Sequence, residues 1–185
     1  TGDNYFYIYC LWVSGNYKGK GYGKELLQSC IDDAKAQGKS GICLLSSKKK
    51  KPFLSEKKFM LKYGFKVVDT INDEYELLAL SFDGTQPQFT SNVRKQSIEG
   101  KELTIYYGSS WCVLDFLSYI PNCIEQIYNY CENNQIPLRL VEIDTLEKAK
   151  QLPCIFNNWA VFYNGKFETV HLLNEGLLKK LLQLK

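Results

Sequence analysis

Val13-Ser14-Gly15-Asn16-Tyr17-Lys18-Gly19-Lys20-Gly21-Tyr22-Gly23-Lys24-Glu25-Leu26-Leu27 passes from strand texture to helix texture within one turn. Upstream, residues 5–13 are aromatic and β-branched throughout (Tyr-Phe-Tyr-Ile-Tyr-Cys-Leu-Trp-Val) and predict a strand. Downstream, Leu26, Leu27, Cys30, Ile31 and Ala34 recur at helical spacing, and Gly38 closes the helix. A turn between strand and helix presents the helix's unpaired N–H groups, and the helix dipole adds partial positive charge there. Gly19, Gly21 and Gly23 remove the side chains that would hold an anion away from those donors. Lys18, Lys20 and Lys24 add formal charge around the same point. The segment predicts a phosphate-binding strand–turn–helix.

Two familiar phosphate loops do not fit it. A Walker A loop ending at Gly23-Lys24 would need glycine where Lys18 stands and Ser or Thr where Glu25 stands. The dinucleotide fingerprint Gly-x-Gly-x-x-Gly fails at Lys24 when started from Gly19, and at Leu26 when started from Gly21.

The rest of the chain divides into two textures. Ile42–Leu45 predicts a short buried strand, and Ser55 an N-cap for a helix running to Tyr63, with Gly64 as its stop. Strands follow near Phe65–Val68 and Tyr75–Phe82. Residues 83–102 hold Gly84, Pro87 and Gly100 among polar residues and predict a linker between residues 1–82 and 103–185. Beyond it come a strand at Leu103–Tyr107, a helix beginning near Pro121 and a strand at Leu138–Ile143. Asp144 and Glu147 form a capping-box-like start for a short helix. Asn164-Gly165 is a hairpin turn between Trp159–Tyr163 and Lys166–Val170, and Leu173, Leu177, Leu178, Leu181 and Leu182 mark a last amphipathic helix. The fold class is α/β (α+β), and no internal repeat relates the halves.

Composition narrows the chemistry. In 185 residues, seven cysteines make an odd count with no Cys-x-x-Cys pair, which argues against a disulfide framework and a thiolate zinc site. Reduced cysteines point to a cytoplasmic protein. The single histidine, His171, removes most Ser-His, Cys-His and His-metal chemistry, so no metal site is expected. No apolar run approaches the roughly 20 residues that span a bilayer. Residues 1–82 carry 13 lysines against 9 acids, while residues 103–185 carry 7 basic against 8 acidic groups. The basic half is the one with the glycine turn. Lys48-Lys49-Lys50-Lys51 lacks arginines or interleaved aromatics, so neither nucleic acid nor membrane is an expected partner.

Tyr17-Lys18-Gly19-Lys20-Gly21-Tyr22-Gly23-Lys24, with Val13 before it and Leu26-Leu27 after it, closely resembles the cofactor motif of the GNAT N-acetyltransferases. Phe59-Met60-Leu61-Lys62-Tyr63-Gly64-Phe65 is similar to that family's helix ending in Gly-Phe, so the resemblance covers about residues 5–82. It implies acetyl-CoA (coenzyme A) as cofactor. Leu11, Trp12 and Val13 would then line the pantetheine arm, and Lys18, Gly19, Lys20, Gly21, Tyr22, Gly23 and Lys24 would cradle the pyrophosphate. Ser47 would hydrogen-bond the cofactor, and a lysine of residues 48–51 would meet its 3′-phosphate. The implied acceptor is a small-molecule or peptide amine.

Two departures from the family follow. Its fold has three strands and two helices before the motif strand, so residues 1–82 resemble the C-terminal half of that domain. A homo-oligomer or a second chain completing the sheet is the corresponding expectation. Many members also place a proton-donating tyrosine five residues before the Gly-Phe phenylalanine, where this chain has Met60. Tyr63 is the nearest phenol and reads as a packed aromatic, so no catalytic residue is assigned. A CoA-binding module without catalysis is therefore the alternative.

The C-terminal order of elements resembles a small thioredoxin-like domain, with Trp111-Cys112 after the first strand and Pro153 before the hairpin. Asp115 stands where a second active-site cysteine would be, so the resemblance suggests a Cys112–Cys154 dithiol as a third, thiol-redox reading. Ser46–Ser55, Lys62–Asp69 and Phe162–Phe167 together look like bacterial acetyltransferases with a YoaP-like C-terminal domain.

Overall fold

A computed structural model describes residues 2–51, 54–108 and 116–182, without side-chain detail for 116–121. The chain forms two compact units, Thr1–Phe89 and Thr90–Lys185. Each is built on a mixed four-stranded sheet, so the architecture is α+β.

In the first unit the order is β1 (Tyr5–Tyr7), α1 (Tyr22–Ala36), β2 (Gly41–Ser47), α2 (Lys57–Lys62), β3 (Lys66–Ile71) and β4 (Tyr75–Ser81). The sheet runs β1-β2-β4-β3, with β1 parallel to β2 and the other pairs antiparallel. Parallel pairing needs a crossover, and α1 supplies it. Leu27, Ile31 and Ala34 of α1 and Met60 of α2 pack with Phe65 on Ile42, Leu44 and Leu78. The opposite sheet face carries Cys43, Leu77 and Ala79 under Tyr5, Tyr7 and Phe89.

Several local expectations shift. The strand predicted over residues 5–13 ends at Tyr7. The Ile8 N–H still donates to the Cys43 carbonyl at 2.9 Å, after which the chain leaves β2. Aromatic and β-branched residues favour extended backbone, but a strand also needs a partner along its length. Leu26 is 48% exposed, outside the stripe of Leu27 and Ile31. Ser55 is not the cap of α2: the N-cap is Glu56, with no side-chain cap bond. Gly64, at φ 89°, ends α2 as predicted.

Residues 83–102 are not bare spacer. The Phe89 N–H donates to Asp69 Oδ2 at 2.8 Å, and the Ile98 N–H to the Gly165 carbonyl at 2.9 Å. Between them lies α3 (Ser91–Lys95), capped by Thr90, whose Oγ1 accepts from the Val93 N–H.

The second unit has β5 (Leu103–Gly108), α4 (Phe116–Asn133), β6 (Leu138–Ile143), α5 (Leu146–Gln151), β7 (Trp159–Tyr163), β8 (Lys166–Thr169) and α6 (Glu175–Leu181). Its sheet runs β6-β5-β7-β8, with β5 and β6 parallel. Ile127 and Cys131 of α4 and Leu178 of α6 cover Leu103, Ile105, Trp159 and Val161. Helix α4 begins before Pro121 rather than at it. Proline removes one helical hydrogen bond, but its fixed φ is the helical value. The cap of α5 is Thr145, not Asp144: Thr145 Oγ1 accepts from the Lys148 N–H at 3.2 Å, and Asp144 pairs with the Lys148 ammonium at 2.7 Å. That ion pair, with its hydrogen bond, holds the exposed Asp144 carboxyl below its ordinary pKa.

Candidate active site

Where the chain leaves β2 after Ile8, a groove of about 730 Å³ opens between residues 11–24 on one side and α2 on the other. Among the described residues, no backbone hydrogen bond pairs Leu11, Trp12 or Val13. The early end of β1 thus leaves main-chain donors and acceptors bordering the groove.

The glycine turn follows. Gly19 (φ 78°) and Gly21 (φ 93°) are left-handed, a conformation costing an L-residue about 1–2 kcal/mol. A Cβ on either would meet nothing within 4 Å, so both backbones are open to a ligand. Gly21 is also the N-cap of α1, and no side chain caps the helix. The Lys24 and Glu25 N–H groups close back on the Gly21 carbonyl at 2.9 and 3.2 Å. Among the described residues, no acceptor meets the backbone N–H of Gly19, Lys20, Gly21, Tyr22 or Gly23. Five consecutive unpaired donors at the positive end of a helix form an anion cradle.

The cations around the groove are unevenly committed. Lys51 pairs with Glu74, and Lys48 with Asp73 at 3.8 Å, both against the turn between β3 and β4. Lys18, Lys24 and Lys50 border the groove without an ion pair among the described residues. Glu56 is the carboxylate on its wall. Opposite the turn, Phe59, Met60 and Tyr63 form the apolar wall, and the Phe59 and Tyr63 rings lie 4.8 Å apart.

Of the residues expected to hold the ligand, Leu11, Trp12, Val13, Lys18, Gly19, Gly21, Tyr22, Gly23 and Lys24 converge on this groove. Lys20 does not: its ammonium lies 5.7 Å from the Tyr17 ring centroid. Ser47 does not line the groove, and sheet parity is the reason. Strand β2 turns Ile42 and Leu44 toward α1 and α2 but Cys43 toward Tyr5 and Tyr7, and Ser47 shares the parity of Cys43. It is buried, and its hydroxyl donates to the Lys49 carbonyl at 2.5 Å.

That residues 54–63 also line the groove is not legible in the sequence. The signal there is the apolar stripe Phe59, Met60 and Tyr63, which equally predicts core. A polar pair lies behind the wall: Lys57 holds the buried Glu76 of β4, with nitrogen–oxygen distances of 2.6 and 2.8 Å.

The chain is 36% identical over 184 residues to the uncharacterized N-acetyltransferase YoaP of Bacillus subtilis (strain 168), covering 98% of this chain and 71% of that protein. The chain belongs to the GNAT acetyltransferase family. Residues 1–65 match the acetyltransferase (GNAT) family and residues 137–180 the YoaP-like family. No solved structure matches the chain. The GNAT-matching part thus contains the turn, the groove and its apolar wall.

In the second unit, Trp111 and Cys112 lie outside the described residues. Cys154 is 3% exposed, burial pushes its thiol up to about 12, and its Sγ donates to the Phe156 carbonyl at 3.4 Å. Burial of this kind disfavours the thiolate that thiol exchange requires. His171 is exposed just after β8, and its carbonyl accepts from Trp159 Nε1 at 3.1 Å. Among the described residues, no cluster is arranged to hold a metal ion, and no helix is long and apolar enough to cross a membrane.

Proposed function

We propose that the chain is an acetyl-CoA-dependent N-acyltransferase whose cofactor lies in the groove between residues 11–24 and α2. The observation that carries this reading is the run of five unpaired N–H groups from Gly19 to Gly23 opening on that groove. These donors hold the cofactor's diphosphate, and Lys18, Lys24 and Lys50 supply the counter-charge. The main chain of Leu11 to Val13 would hold the pantetheine arm, with Phe59 and Tyr63 as the facing apolar wall. Gly19 and Gly21 leave this stretch of backbone bare and open, so the residues fit the ligand.

When bound, acetyl-CoA would supply a thioester carbonyl as the acyl donor to an amine, with the free thiol of coenzyme A as the other product. The unpaired N–H groups of residues 11–13 are the chain's available donors to a carbonyl oxygen that gains charge. Met60 cannot donate a proton, and it is fully buried. That observation favours a second reading, a CoA-binding module without turnover. Acetyl-CoA supplied with a panel of primary amines should lose thioester absorbance and yield the N-acetyl product. CoA binding without loss over the whole panel would support the module instead.

The β6-β5-β7-β8 order, with a parallel first pair and a terminal hairpin, supports reading the second unit as thioredoxin-like. The burial of the Cys154 thiol, which disfavours its thiolate, does not support a redox role for it. A small-molecule or peptide amine is the proposed acceptor.

A further inference from the structure

Helix α1 presents two faces. Leu27, Ile31 and Ala34 pack on the sheet, while Tyr22, Glu25, Leu26 and Ser29 recur at helical spacing on the other side. Those four, with Trp12 and Tyr17, line a second, more open cleft of about 670 Å³. Its rings are exposed: Trp12 by 64%, Tyr17 by 60% and Tyr22 by 41%. Tyr17 and Tyr22 meet edge to face, with centroids 6.0 Å apart. Glu25 is the carboxylate of the cleft and has no ion pair among the described residues.

Two of these rings already carry cations. The Lys18 ammonium lies 4.8 Å from the Trp12 centroid, and that of Lys20 5.7 Å from the Tyr17 centroid. Trp12 borders both the groove and the cleft, Lys18 only the groove, and Glu25 only the cleft. The groove and the cleft thus adjoin, sharing Trp12, Tyr17 and Tyr22, and a lysine of the anion site lies over the shared indole.

We infer that this cleft binds an alkylammonium group of the acceptor, on the Trp12, Tyr17 and Tyr22 rings with Glu25 as counter-charge. Aromatic faces beside a carboxylate select an organic cation over a neutral amine or an anion. An ammonium held there has no lone pair with which to attack a carbonyl. The group in the cleft is therefore a second cationic centre, and the acceptor is a diamine-like molecule acylated at its other nitrogen. Binding is coupled to the groove: an anion there draws off the charge of Lys18, which otherwise repels a second cation across the same indole. By linkage, each ligand tightens the other.

This inference rests on the acyltransferase reading, and one calorimetric experiment separates the two. The n-butylammonium ion is titrated into the full chain, with and without saturating coenzyme A, which carries the phosphates but no acyl group to transfer. Butylammonium should bind about fivefold or more tightly with coenzyme A present. Glu25→Gln should weaken it in both states, and Trp12→Leu should remove the coupling. Equal affinity in both states overturns the coupling, no butylammonium binding overturns the cation cleft, and either leaves the acyltransferase reading standing. Failure of coenzyme A to bind overturns that reading and the coupling together. Concentration-dependent dimerisation that shields Trp12 from iodide quenching would assign the cleft to a second copy and also overturn the inference.

Discussion

Gly21→Asp should weaken coenzyme A binding by about a hundredfold or more while leaving the fold largely intact. The substitution separates conformation from charge. Position 21 is left-handed at φ 93°, which Asp tolerates better than most residues, and a Cβ there meets nothing within 4 Å. The cost to folding is then about 1 kcal/mol. The carboxylate, however, enters the cradle formed by the N–H groups of residues 19–23 and meets a diphosphate at close range. At an effective dielectric of about 20, like charges 5 Å apart repel by about 3 kcal/mol, or a factor of about a hundred. Gly21→Asn has nearly the same shape without the charge and should lose much less affinity. Calorimetric Kd values for the two variants, with thermal melts as the folding control, check this. Equal losses in both would mean that shape rather than charge governs the site.

Lys57→Met should lower unfolding stability by about 2–3 kcal/mol, because it strands a carboxylate inside the first unit. Glu76 is 4% exposed, and the Lys57 ammonium reaches its oxygens at 2.6 and 2.8 Å. A side-chain exposure of 29% on Lys57 keeps the loss at the lower end for such pairs. The pair ties the first residue of α2 to β4, and the same short helix presents Phe59 and Tyr63 to the groove. The variant should therefore also bind coenzyme A more weakly. Replacing both partners, Lys57→Met with Glu76→Leu, should recover most of the stability because no charge is then left unpaired. Denaturant midpoints measure both effects. A single variant as stable as the wild-type chain would show that water already solvates Glu76.

The glycine turn was legible because its signal is local. Glycines at 19 and 21 permit left-handed backbone, and the helical spacing that follows fixes which N–H groups are left over. The same holds for Asn164-Gly165, whose positive φ values of 50° and 76° join β7 to β8. What failed depended on neighbours distant in sequence. Residues 8–13 have strand composition, but after the Ile8–Cys43 bond no further ladder with β2 forms among the described residues, so β1 stops at Tyr7. Ser47 could be placed only by knowing which face of β2 the helices cover, and a one-residue error reverses the answer. Thr145 and Asp144 are both competent caps, and the ion pair to Lys148 decides between them. Leu26 and Leu27 are adjacent leucines, yet one lies in the core and the other in an exposed cleft. The groove's far wall was hidden because an apolar stripe such as Phe59, Met60 and Tyr63 looks the same whether it meets a core or a ligand.

In the proposed complex, the backbone from Gly19 to Gly23 holds the phosphates of coenzyme A. Amide NMR of the isotope-labelled full chain, titrated with coenzyme A, tests it at the atoms concerned. The amide resonances of Gly19, Lys20, Gly21, Tyr22 and Gly23 should shift together and saturate, while those of the β6-β5-β7-β8 sheet stay in place. Saturable shifts that spare those five amides, or no shifts at all, would mean that this backbone does not hold the phosphates.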